Sequence, residues 1–279
     1  MPQNASDTAI SALTDWWQAM GVDVETLPAS KTEPPPPPRA VAKQAGPSGA
    51  PQSPQPTSKS TPTARKNAPE RFVESWTEDA RQAAAEAPDL AALKAAIIAF
   101  DGSPLKPFSK HAVVYDGVEQ PDIIVIGESP GHREDEAGLP FIGQAGQLLD
   151  RMLATIGLSR EKNTLITNVN YWRTPANRNP EPNELAVCRP FVDRLFDICV
   201  PKLIIAAGGV SAQTLLQTKT GIMRLRGQLA SYQTESKNTY DILPIFHPAY
   251  LLRRPQDKSR AWRDLLQARA ILQKHGLDL

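Results

Sequence analysis

Four short apolar runs, at residues 122–126, 165–169, 203–207 and 242–246, constrain this chain most, because each reads as a strand buried on both faces. Segments with helical spacing lie between them. One follows Gly143 and carries Leu148, Leu149, Met152, Leu153 and Ile156 on one side. A second starts at Asn183 and repeats Leu185, Cys188, Val192, Leu195 and Cys199; a third covers 211–216 and a last one 257–274. An alanine-rich helix is expected over 78–99, with Leu90, Leu93 and Ile97 on one face. Strand and helix alternate, which predicts an α/β fold with a mainly parallel sheet and helices on both faces.

The chain of 279 residues is longer than this domain needs, and the surplus lies at the front. Twelve of the 27 prolines fall between Pro28 and Pro69, in a stretch with almost nothing to bury. The reading is a disordered, proline-rich linker over 28–69 with polyproline II character, acting as a spacer. Ahead of it, Ile10, Leu13, Trp16, Trp17 and Met20 recur at helical spacing and Gly21 follows as a stop, so 1–27 reads as a short amphipathic helix. That helix either docks on the main domain or, with the linker, reaches a protein partner. The compact domain is placed at 70–279. No apolar run approaches the ~20 residues of a membrane span, and no secretory signal is seen. Two cysteines, Cys188 and Cys199, argue against a disulfide scaffold and for the cytoplasm. A formal charge of +1 neither favours nor excludes nucleic acid, since only clustered basic residues matter there.

Sites in open parallel sheets form beyond the carboxyl ends of the strands. Here the first run leads into GESPGHRED, with Gly127, Glu128, Ser129, Gly131 and Glu134; the second carries Asn168 near its end. The third ends in Gly208 and Gly209, and the fourth runs into HPAYLL, beginning with His247. GESPG is a tight turn whose glycines allow close backbone approach. It is neither a Walker loop nor a GxGxxG dinucleotide turn. After His247 come Tyr250, Leu251, Leu252, Arg253 and Arg254, a mixture suited to wedging into a base stack while holding phosphates.

The stretches GESPGHREDEAGLPFIGQAGQLLDRMLATIGL, LITNV, RTPANRNPEPNELAVCRPF and ILPIFHPAYLLRRP resemble the family-4 uracil-DNA glycosylases of bacteria, in order and spacing, over most of 100–272. The resemblance implies a three-layer α/β/α domain with a parallel four-stranded sheet. It implies that a uracil flipped out of DNA enters a pocket. Phe141 would stack on the ring. Asn168 would read the N3–H and O4 edge, Glu134 would exclude the methyl group of thymine, and His247 would stabilise charge growing on O2. Gly127, Ser129 and Gly131 would line the pocket, and either Glu128 would orient water or the bond would break through a largely dissociated sugar cation with little help from a base. Serine at 129 stands where the best-known uracil family has an aspartate, and serine is a poor general base. Tyr250, Leu251, Arg253 and Arg254, with Arg224 and Arg226 of an RLR stretch, are the expected DNA contacts. A related subgroup traps uracil-DNA covalently with the help of an extra basic loop, which the uninterrupted GLPFIGQAGQLLD lacks.

Family-4 enzymes usually hold a four-cysteine iron–sulfur cluster. The corresponding positions are Phe100, Ser103, Trp172 and Cys188, so one thiol of four remains. Cys199 sits eleven residues along the same helix, about 16 Å away, too far to substitute for a ligand or pair with Cys188. No 4Fe–4S cluster or other cofactor is therefore expected, with Phe100 and Trp172 filling its volume and both cysteines serving as core residues. The expected function is that of a monomeric, monofunctional glycosylase of uracil-containing DNA. The competing reading is a non-catalytic binder of uracil-containing or damaged DNA.

Overall fold

The computed structural model describes residues 67–279; the expected helix at 1–27 and nearly all of the linker lie outside the described residues. The chain begins with α1 (Asn67–Glu86) and α2 (Leu90–Ala99). One helix was expected over 78–99; two occur. Pro88 cannot continue the first, and the Asp89 side chain accepts from Ala92 N–H to cap the second.

Strands β1 (Tyr115–Gly117), β2 (Ile123–Gly127), β3 (Thr164–Asn168), β4 (Leu203–Ala207), β5 (Ala230–Gln233) and β6 (Thr239–Ile245) form one sheet in the order β1-β3-β2-β4-β6-β5. The inner four, β3, β2, β4 and β6, are parallel and correspond to the four apolar runs. The expected count of four strands is corrected to six. Two short antiparallel edge strands, β1 on β3 and β5 on β6, close the sheet. Each edge strand is three or four residues long and only partly buried, so neither carries the apolar run that marks the inner strands.

Between the strands lie α3 (His132–Ala137), α4 (Gln144–Ala154), α5 (Pro182–Cys199), α6 (Gly209–Leu216), α7 (Ile222–Leu225), α8 (Pro248–Arg253) and α9 (Lys258–Lys274). Ile124 and Ile126 of β2, with Ile204 and Ala206 of β4, join a core that takes in α1, α2, α5 and α6. Strand alternation turns Ile123 and Val125 to the opposite face, also fully buried, and there α9 lies against β4 and β6. Each such Ile or Leu contributes about 1.5–3 kcal/mol by leaving water, so the two-sided sheet is the rigid platform for what its carboxyl edge carries. Among the described residues, no helix is long and apolar enough to cross a membrane.

Candidate active site

Four neighbouring strand ends meet at one edge. Gly127 pairs in register with Asn168, while Gly208 follows β4 and His247 lies just beyond β6. Glycine is required at two of these ends. A Cβ on Gly127 would sit 2.5 Å from the Phe141 ring and 2.6 Å from Asn168 Oδ1. Gly208 has φ +114° and leaves room for His247, whose Cβ would be 3.1 Å from an added methyl. These glycines leave room for the side chains of Phe141, Asn168 and His247.

Phe141 is buried and holds a left-handed backbone at φ +54°, unusual for an aromatic residue. Three devices keep it there. Glu134 Oε1 accepts from Ile142 N–H at 3.0 Å and Gly143 N–H at 2.8 Å. Arg160 donates to the carbonyls of Pro140 at 2.8 Å and Phe141 at 2.7 Å, itself steadied by Asp116 and Asp150. Gly146 of α4 passes so close that any side chain there would strike the Phe141 carbonyl. Glu134 lines the cavity, and its carboxylate also clasps the loop that presents Phe141.

His247 caps α8: its Nδ1 accepts from Ala249 N–H at 3.1 Å. Burial, with the nearby positive Arg253, pushes the imidazole down to about 4. The ring is therefore neutral at physiological pH, with its proton on Nε2. Its ring stacks on Phe141, centroids 5.6 Å apart. Glu128 is half-buried, and desolvation holds its carboxyl above the usual carboxylate range. Ser129 Oγ accepts from Asn170 Nδ2 at 2.9 Å, and Gly131 caps α3.

Glu128, Ser129, Gly131, Glu134, Phe141, Asn168 and His247 line a cavity of about 520 Å³, large enough for a nucleobase and adjoining groups, while Gly127 lies behind the Phe141 ring and outside the lining. Its far wall, Thr174, Asn177, Arg178 and Asn179, had not been assigned from the sequence. Ala176 and Asn177 there have φ +55° and +53°. Pro175 two residues ahead of Asn177 is the local signal for such a turn. Arg178 pairs with Glu184, the buried N3 residue of the α5 capping box, which anchors this wall to the helix.

Of the expected DNA contacts, Tyr250 and Arg253 line the cavity and Arg254 and Arg224 are exposed. Two are corrected. Leu251 is fully buried, whereas Leu252 is 41% exposed, because one helical step separates the core face of α8 from its outer face. Arg226 is committed to Asp264 of α9 and lies over the Phe246 ring, so its charge is spent within the fold.

The chain belongs to the uracil DNA glycosylase superfamily, whose family model matches residues 114–266. It is 33% identical over 184 residues to the type-4 uracil-DNA glycosylase of Sulfurisphaera tokodaii, covering 64% of this chain and 83% of that protein. It is 37% identical over 186 residues to that of Pyrobaculum aerophilum, covering 63% and 91%. The enzyme of the same name from Archaeoglobus fulgidus is 39% identical over 144 residues, covering 50% and 71%.

The positions that resemblance assigns to an iron–sulfur cluster do not fit one. Phe100, Ser103, Trp172 and Cys188 are all buried, and the Phe100 ring lies 6.4 Å from Trp172 and 5.3 Å from Phe191. Burial pushes the Cys188 thiol up to about 12, and its Sγ lies 3.6 Å from Asn170 Oδ1. A neutral thiol among aromatic rings is a core residue, whereas cluster ligands are thiolates. Cys199, expected in the core, is only partly buried. Among the described residues, no three His, Cys, Asp or Glu side chains are grouped to hold a metal ion.

Proposed function

We propose that this protein is a monofunctional uracil-DNA glycosylase, which hydrolyses the bond between uracil and deoxyribose and leaves an abasic site. One observation carries the reading: the His247 Nδ1 bond to Ala249 N–H, which fixes Nε2 as a donor in the cavity shared with Asn168 and Phe141. As the C1′–N1 bond breaks, its electron pair moves onto the base and charge grows on the uracil oxygens. A neutral Nε2–H donor is suited to that charge, because it is preorganised and stays protonated throughout. Asn168 offers an amide able to pair with the N3–H and O4 edge. Cytosine would leave buried polar groups unmatched at a cost of about 1–3 kcal/mol each. Phe141 supplies the stacking face.

The sugar cation is then captured by water, whose oxygen bonds to C1′. Glu128, with its raised carboxyl, is the group we assign to orient that water and receive its proton. The domain at 70–279 is read as carrying the activity, without a cluster, as a cytoplasmic monomer. For residues 1–69 we propose a role in recruiting a protein partner rather than in the chemistry.

The test is a labelled oligonucleotide with a single uracil, treated with protein and then with alkali. Cleavage by the parent protein, lost in His247→Ala and Asn168→Ala, supports the reading. A stable shifted complex with no cleavage product overturns it in favour of a non-catalytic binder.

A further inference from the structure

Asn170, two residues past the end of β3, is fully buried and has no place in the mechanism above. Its backbone N–H donates to Glu128 O at 3.1 Å. Its side-chain Nδ2 donates to Ser129 Oγ at 2.9 Å and to Trp172 O at 2.7 Å. Its Oδ1 accepts from Trp172 N–H at 3.3 Å and faces Cys188 Sγ at 3.6 Å. Both donors and both acceptor sites of the carboxamide are therefore used. The Trp172 backbone fixes which end is which, since its carbonyl can only accept and its N–H can only donate.

That orientation has a consequence for Ser129. Nδ2 must donate to the serine oxygen, so the hydroxyl proton of Ser129 is left for the cavity that Ser129 lines beside Glu128. We infer that Asn170 is a positioning residue that fixes the Ser129 hydroxyl as a hydrogen-bond donor on the wall of the base pocket. The inference rests on the reading of that pocket as the glycosylase site. Through its backbone and side chain, Asn170 holds two consecutive residues of the first signature loop and ties them to Trp172 and Cys188 on the core side. A serine at 129 that cannot serve as a base thus acts as an oriented donor.

The experiment is a double-mutant cycle in the full chain, with steady-state kinetics on the single-uracil oligonucleotide. Asn170→Val and Ser129→Ala should each lower kcat about tenfold with KM changed less than about twofold, as expected for a lost donor in the reacting complex. Combined, they should fall no lower than Ser129→Ala alone. If the double variant falls by the product of the two single effects, Asn170 acts through packing around Cys188 and Trp172, and the inference is overturned. Asn170→Asp guards against a folding defect, since it keeps the size and both acceptor sites but replaces the donor. Its kcat should drop as its carboxylate ionises; parental kcat from about pH 5 to 9 would equally overturn the inference. A parent protein with no cleavage at all would instead refute the proposed function.

Discussion

The ring of His247 stacks on that of Phe141 at a centroid distance of 5.6 Å and an angle of 28°. Loops that leave β2 and β6 thus brace one another directly at the pocket. The proposed oxygen donor and the proposed base-stacking face share one contact, so disturbing either loop should move both.

Replacing His247 should separate chemistry from stability. His247→Asn should lower kcat by about 10²–10³-fold in single-turnover assays, the usual cost of one preorganised donor. The stability effect has a defined sign. The folded pKa of about 4 lies below the unfolded value near 6.5, so the parent protein is penalised as pH falls from 6.5 toward 4. Any stability advantage of the parent over His247→Asn, read from denaturant unfolding, should be complete above pH 6.5 and shrink across that window.

Glu128→Gln should trade activity for stability. A carboxyl whose folded pKa is raised costs stability once pH passes its unfolded value, because ionisation is easier in the unfolded chain. The amide variant should therefore melt higher than the parent at pH 7, and the gain should vanish at pH 3. Its kcat should fall by about 10²–10⁴-fold if the carboxylate serves as base.

Arg160→Met removes both bonds to the carbonyls of Pro140 and Phe141. Stability should drop by about 1–3 kcal/mol, the range for charge-assisted bonds. With the left-handed Phe141 no longer clamped, KM for uracil-DNA should rise about fivefold, because positioning of the stacking face is lost. An unchanged KM would show that Glu134 and the close approach of Gly146 hold the loop without Arg160.

Leu252, in place of the expected Leu251, should be the apolar residue that meets DNA. Leu251→Ala should destabilise the fold by about 2–5 kcal/mol, since a fully buried leucine is removed. Leu252→Ala should leave the melting temperature unchanged and weaken cleavage of duplex more than of single-stranded substrate, since an exposed apolar wedge assists base extrusion.

Spectroscopy addresses the cluster positions. Anaerobically purified protein should lack stoichiometric iron and the broad absorption near ~400 nm of a 4Fe–4S centre. Finding both would require thiolate ligands that the described residues do not supply.

The central strands were legible because burial on both faces leaves an uninterrupted apolar run, as in Ile123–Gly127. Edge strands were not, because Tyr115–Gly117 and Ala230–Gln233 carry mixed residues and take their order from partners distant in sequence. The short helix His132–Ala137 was hidden in the same way, its acidic run reading equally well as a solvated loop. Gly127, Asn168 and His247 stood out at strand ends. Three other features could not be read from local patterns. These are the clasp of Glu134 on Ile142 and Gly143, the reach of Arg160 to Phe141, and the four-way bonding of Asn170. Each joins a side chain to backbone or a hydroxyl brought near only by the finished fold.

Phe100, Trp172 and Phe191 are contributed by three separate segments, and the Phe100 ring meets the other two. On the proposed cluster-free reading, a domain fastened in this way should mature as its chain collapses, and its yield of folded protein should not depend on iron supplied during expression. On the same proposal, peroxide or a chelator should leave the melting temperature of the domain unchanged.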